Sequence, residues 1–359
     1  MTYEEIKNSV PAGMPKKEKQ RKPIDIKAVI GFFIGLMLLF STVGAVIQLT
    51  FGMWGVAITE LGFLVLSVLY VKRKHQRLKD VFPIKKPVWS AVLGTVLLWA
   101  GSYLFIMVGQ ALLLAYYPDY QPSSDSEVLM GSGMNWFLLF LIVAVLPPIC
   151  EEAMHRGVIQ YGLKERIRSP WPMAIVMGLF FGLFHMDPSK FFYTGILGGV
   201  MSWILFQTGN MVYSSLLHFI HNASQILLLR ILYGTAVVPG ASIIPCFSAG
   251  SGSAVPFGSA IVGWLQTLAG TSVSDPTVLG MSSLFYQAGI LTIIYGLLIP
   301  PLMYLGNHLL LRDTAPRRHR LIPESPAERT HAKVILLVPM GCFLLAGFIT
   351  AGIGLYMIS

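Results

Sequence analysis

The chain has 359 residues, 54% of them hydrophobic and only 12% charged, with a formal net charge of +9 and a mean hydropathy of +0.66. That much apolar surface excludes an ordinary soluble globular protein and fits a polytopic membrane protein. Three cysteines (Cys150, Cys246, Cys342), far apart and without paired spacing, indicate neither a disulfide framework nor a cysteine metal site.

Residues 1–27 are polar and lysine-rich, too long and too charged for the start of a signal peptide, so the apolar run that follows reads as an uncleaved anchor. Apolar runs of spanning length, about 20 residues, then fall at 28–50, 52–71, 89–116, 136–158, 191–208, 211–233, 279–310 and 334–358. A shorter run at 172–186 must also cross if the chain is to connect, which gives an all-α bundle of about nine spans. Segments 1–27, 72–87, 156–168 and 312–333 carry 24 of the 26 Lys and Arg residues, and alternate crossings place all four on one side. By the positive-inside rule that side is cytoplasmic, with the N-terminus in it and the C-terminus opposite. The positive charge therefore requires no nucleic-acid partner, and the basic stretch around Arg317, Arg318 and Arg320 reads as a solvated loop against anionic lipid.

The segments expected outside agree. Residues 117–135 carry Asp119, Asp125 and Glu127 and no basic residue, and residues 234–277 are rich in Gly, Ser, Pro and Thr, with Asp275 their only charge. Five stretches result: a basic tail (1–27), N-terminal transmembrane helices (28–134), a core (135–233), an extracytoplasmic loop (234–277) and C-terminal transmembrane helices joined by a basic linker (278–359). Within the loop, the apolar run 260–269 is too short to span and reads equally as re-entrant or as an ordinary loop.

The core carries what an apolar helix does not need. Glu151 and Glu152 sit within the fourth run, and an ionisable side chain near the bilayer centre costs roughly 2.5–3.5 kcal/mol on insertion scales. Glu152 and Arg156 are four residues apart, suited to an ion pair, whereas Glu151 points about 100° away toward another helix. Pro147 and Pro148 remove backbone donors just before the pair and leave carbonyls in need of a partner. His185 ends the short run, and His218 and Asn222 share a face of the next span but one, with His221 on the same side. A base, a second histidine-bearing helix and a donor pair on a third supply the parts of a hydrolytic site. Glu60, alone in the second span, reads as a protonated packing residue. Glu152-x-x-His155 is half of a di-iron motif whose second half is absent.

Glu151-Glu152-x-x-x-Arg156, Phe181-x-x-x-His185 and His218-x-x-x-Asn222, in this order and spacing, resemble the CPBP intramembrane protease family. That family holds the CAAX-processing endopeptidases and their abortive-infection and bacteriocin self-immunity relatives. The resemblance covers roughly residues 135–225. It implies a multi-pass membrane endopeptidase acting on a membrane-associated peptide or protein, in which Glu151 activates water, His185 shares that water, and His218 with Asn222 stabilises the oxyanion. Glu152 and Arg156 complete the implied site. A prenylated substrate is not implied, because the wider family includes members whose cells do not prenylate proteins. Two readings of the cofactor stay open, a zinc ion on Glu151, His185 and His218 or a metal-free glutamate mechanism using the same residues. The competing functions are a proton-coupled transporter and a non-catalytic immunity or scaffold protein. One misfit is visible: at 1.5 Å per residue, His185 stands roughly 20 Å up its short helix while His218 lies roughly 10 Å above the inner end of its own.

Overall fold

A computed structural model describes residues 24–117, 134–233, 276–314 and 326–357. The Gly/Ser-rich loop with its 260–269 run, most of the basic tail and most of the basic linker lie outside these residues. Among the described residues the chain is helical throughout: α1 (Ile26–Phe51), α2 (Met53–Arg73), α3 (Trp89–Tyr116), α4 (Trp136–Leu163), α5 (Pro170–Phe184), α6 (Pro188–Thr208), α7 (Met211–Tyr233), α8 (Pro276–Arg312) and α9 (Pro326–Tyr356). Seven of these are long and apolar enough to cross a membrane, and α5 is a shorter apolar helix. The helices coincide with the expected runs to within a few residues, except that α4 continues to Leu163, a turn beyond its apolar stretch, and α9 begins at Pro326, eight residues before its run; α7, an expected crossing, is not among the seven.

Lys72 and Arg73 close α2, and Arg312 closes α8, while Lys164, Arg166 and Arg168 follow α4. Basic residues thus close α2, α4 and α8, though not α6, as alternate crossings would place them. Two loops at this end are joined directly. Asn210 donates from Nδ2 to the Lys85 carbonyl (3.1 Å), its Oδ1 accepts from the Lys85 N–H (3.1 Å), and the Met211 N–H donates to the Pro83 carbonyl (2.8 Å). The Val88 N–H donates to the Tyr213 hydroxyl at 2.9 Å. Gly209, at φ +58°, makes the turn that delivers Asn210, a conformation that L side chains rarely adopt. The start of α7, and with it the depth of His218, is therefore set by the α2–α3 loop.

In the core, α7 packs on α3, α4 and α6, and α4 packs on α2. The α8 helix lies between α3 and α9. The approach of α5 to α6 is close enough to require glycine: a Cβ on Gly178 would lie 2.6 Å from the Gly195 carbonyl oxygen. Backbone cannot yield there as a flexible side chain would, so Gly178→Ala must push the helix bearing His185 off α6. We expect a loss of about 1–3 kcal/mol, read as a lower melting temperature of the detergent-solubilised protein. An unchanged melting temperature would show that the two helices separate freely.

Candidate active site

The polar residues of α4 are presented by an irregular helix. A π-helical stretch (Leu141–Val145) precedes Pro147 and Pro148, and a second (Ala153–Ile159) contains His155 and Arg156. π-bulges re-aim side chains within a helix and are frequent at functional sites. Here they accompany a run in which Cys150, Glu151, Glu152, His155 and Arg156 are all buried.

Arg156 holds the expected ion pair. Its Nη1 lies 2.8 Å from Oε1 of Glu152, and both side chains are fully buried. Its Nη2 donates to the Gly198 carbonyl on α6 at 3.0 Å, and its guanidinium carbon stands 4.6 Å from the centroid of the Phe181 ring on α5. One cation thereby ties α4, α5 and α6 together. Gly198 serves twice, since a Cβ there would come within 2.5 Å of Phe181 Cβ.

His218 bridges the two carboxylates. Its Nδ1 is 3.3 Å from Oε1 of Glu152, and its Nε2 is 3.9 Å from Oε2 of Glu151. A carboxylate only accepts, so the Nδ1 proton is directed at Glu152 and Nε2 is turned toward Glu151. The 3.9 Å separation exceeds a hydrogen bond and suits a bridging water or a bound polar group. Glu151 and Glu152 therefore have different surroundings. Glu152 is wrapped by Arg156, His218 and the neighbouring Ser214, whereas Glu151 faces the Nε2 edge of His218.

His185 is brought to the same level. Its Nδ1 donates to the Phe181 carbonyl at 2.9 Å, leaving Nε2 for other partners. The Phe181 ring lies 4.9 Å from the His185 ring, 4.9 Å from that of His155 and 5.6 Å from that of His218. The depth misfit thus resolves. Counted from the observed end of α4 at Leu163, Glu151 lies about 18 Å up, against about 22 Å for His185 from the start of α5. Extending α4 beyond its apolar run brings Glu151 level with His185, and His218, only about 10 Å up α7, meets Glu152 because the α2–α3 loop, not the level of α5, sets where α7 begins.

Asn222 is where expected on α7, but its Nδ2 donates to the Val143 carbonyl at 3.1 Å, so one of its two amide protons is engaged within the protein. His155 is entirely buried, donates from Nδ1 to the Glu151 carbonyl (3.1 Å), and packs edge-on against Phe181 and Phe184. The half di-iron pattern therefore carries an aromatic packing role. Glu60 is buried, on the helix that packs against α4. That helix contacts the Leu146–Glu152 stretch itself; a lone carboxylate in the second span gave no sign of that. The part of Phe181 as the common contact of three histidines and Arg156 was equally hidden, although it is a member of the second motif.

Among the described residues, no group of three or more His, Cys, Asp or Glu side chains is placed to hold a metal ion. Glu151 and His218 are neighbours and His185 shares the Phe181 ring with His218; Nδ1 of each histidine is engaged, by the Phe181 carbonyl and by Glu152, which leaves Nε2 of each as the edge for a further partner.

Residues 133–224 match the family model described as type II CAAX prenyl endopeptidase Rce1-like. This segment is a CPBP-type domain. It spans about a quarter of the chain and contains all three motifs, from α4 through the His218 and Asn222 turns of α7. Neither a curated protein nor a solved structure matches the chain.

Proposed function

We propose that the chain is an intramembrane endopeptidase of CPBP type that hydrolyses a peptide bond in a membrane-associated peptide or protein. The supporting observation is the buried set of Glu151, Glu152, Arg156 and His218, gathered in one CPBP-type segment with one carboxylate neutralised and the other facing an open edge of an imidazole.

In this reading Glu151 takes a proton from a water held between it, His185 and His218, and the hydroxide attacks the scissile carbonyl carbon. The oxyanion is received by His218, which is doubly protonated at rest between the two carboxylates and donates from Nε2, and by the Asn222 amide proton not given to Val143. At rest the two glutamates, Arg156 and the doubly protonated His218 sum to zero charge, and in the intermediate the proton gained by Glu151 offsets the charge of the oxyanion, the balance a low-dielectric site requires. Collapse of the tetrahedral intermediate breaks the C–N bond, and the proton held on Glu151 goes to the leaving amine. Glu152 and Arg156 touch no reacting atom; they fix the position of His218. The active face opens to the cytoplasmic half of a cell membrane, and the substrate is a peptide or protein, with no nucleic acid involved.

The test is cleavage of a pooled library of membrane-associated peptides, prenylated and unprenylated, by protein purified in detergent, with metal content measured on the same sample. We expect cleavage that survives treatment with a chelator, because Glu151, His185 and His218 are not arranged as a ligand set. Loss of cleavage on chelation, restored by zinc, would overturn the metal-free part of the reading and leave the peptidase part intact. Cellular function that depends on a pH gradient would favour transport instead.

A further inference from the structure

Val143 occupies a position where the helix can offer its carbonyl no donor. In an α-helix that carbonyl would accept from residue 147, and in the π-helical turn it occupies it would accept from residue 148. Both are proline and neither has an N–H. Among its neighbours, Ile142 has a helical donor only in α register, at Leu146, because five residues on it too meets a proline. The Leu141 carbonyl receives the Leu146 N–H across the π turn, and Ala144 retains residue 149 as its π partner. A carbonyl left unpaired away from water forfeits its hydration without return. What reaches Val143 is the Nδ2 of Asn222, at 3.1 Å, from α7.

We infer that Asn222 is a positioning residue: its side-chain amide substitutes for the backbone donors that Pro147 and Pro148 withhold from Val143, and so pins α7 to the kink in α4. The consequence for the site follows from register. His218 is one helical turn before Asn222 on the same face of α7, and it is bonded to Glu152, nine residues beyond Val143 on α4. The two helices are thereby held at two points, one on each side of the place where Glu151 faces His218. Releasing the upper point lets α7 turn or slide, and the 3.9 Å separation of His218 and Glu151 is no longer specified. This part of the inference rests on the peptidase reading, whereas the pairing of Asn222 with the proline-orphaned carbonyl does not.

The test restores the missing donor. In Pro147→Ala the new N–H can reach the Val143 carbonyl in α-helical register, and in Pro148→Ala it can do so in π register, so either change makes the Asn222 amide redundant there. Asn222→Ala is introduced into the parent and into both proline variants, and melting temperature in detergent and kcat on the best peptide from the library are measured. We expect Asn222→Ala to lower the melting temperature of the parent, with little effect in at least one proline background. In the parent we expect kcat to fall about 100-fold further than in a proline background where the backbone donor has been restored, as roughly 1 Å of misplacement can do, the loss common to every background being that of the oxyanion contact. A variant that folds only when a proline is also replaced supports the inference as strongly. Equal losses in all three backgrounds, folding failure included, would overturn it and leave Asn222 with a role at the oxyanion alone. If no peptide is cleaved by the parent, the peptidase reading has failed, and the melting temperatures still decide the pairing.

Discussion

Glu151→Gln is expected to abolish detectable peptide cleavage while leaving the protein folded. A general base contributes about 10²–10⁴-fold, and glutamine keeps the size and hydrogen-bonding shape of the side chain while losing the ability to accept the water proton. The folded structure should tolerate the change because the carboxylate that supports the architecture is its neighbour: Glu152 holds Arg156 at 2.8 Å and His218 at 3.3 Å, whereas Glu151 approaches His218 only to 3.9 Å. The discriminating measurement pairs cleavage with melting temperature. Lost cleavage with an unchanged melting temperature assigns Glu151 to the chemistry. Cellular function that survives the substitution intact would retire the peptidase reading in favour of a binding or immunity role.

Arg156→Leu has the opposite signature, a loss of folding first and of activity as a consequence. Removing one partner of a buried ion pair leaves the other charge uncompensated and costs about 3–5 kcal/mol. Arg156 also supplies the Gly198 carbonyl with a donor and covers the Phe181 ring, so three helices lose a shared anchor. Lysine is not a conservative replacement. An ammonium can pair with Glu152, but it lacks the planar fork that reaches a carboxylate and a carbonyl together while stacking on a ring. We therefore expect Arg156→Leu to aggregate or to melt well below the parent, with Arg156→Lys intermediate. The double variant Glu152→Leu with Arg156→Leu should be more stable than Arg156→Leu alone, because the stranded carboxylate is gone. If Arg156→Leu melted with the parent, the ion pair would have no architectural role, and Glu152 would have to be reconsidered as a reacting group.

These contrasting expectations reflect how much was legible without a structure. The helices could be read from hydropathy because a bilayer demands about 20 apolar residues per crossing, and the clustering of Lys and Arg supplies an expected orientation for them. The ion pair was legible too, since residues four apart share a helix face whatever the tertiary arrangement. Pro147 and Pro148 announced orphaned carbonyls by chemistry alone. Yet which carbonyl is orphaned beside that of Val143 depends on a π turn, and the group that answers Val143 comes from a residue 79 positions away.

The depth of the site was not legible for a related reason. Apolar composition ends before α4 does: the helix runs on to Leu163 because Arg156 and Gln160 are satisfied by α6 carbonyls, at Gly198 and Ser202, and a count based on apolar residues alone stops short. Likewise, 1.5 Å per residue locates His218 along α7 but not where α7 begins, which is decided by Asn210 on the α2–α3 loop. The sequence by itself determined an all-helical membrane bundle, the Glu152–Arg156 pair and the residues from which a site could be built. Tertiary structure alone decided that Phe181 is the surface on which the histidines meet, that His218 spans both glutamates and that Asn222 is bound to Val143. Local periodicity sets which side chains share a face, and only the packing of one helix on another sets which of them touch.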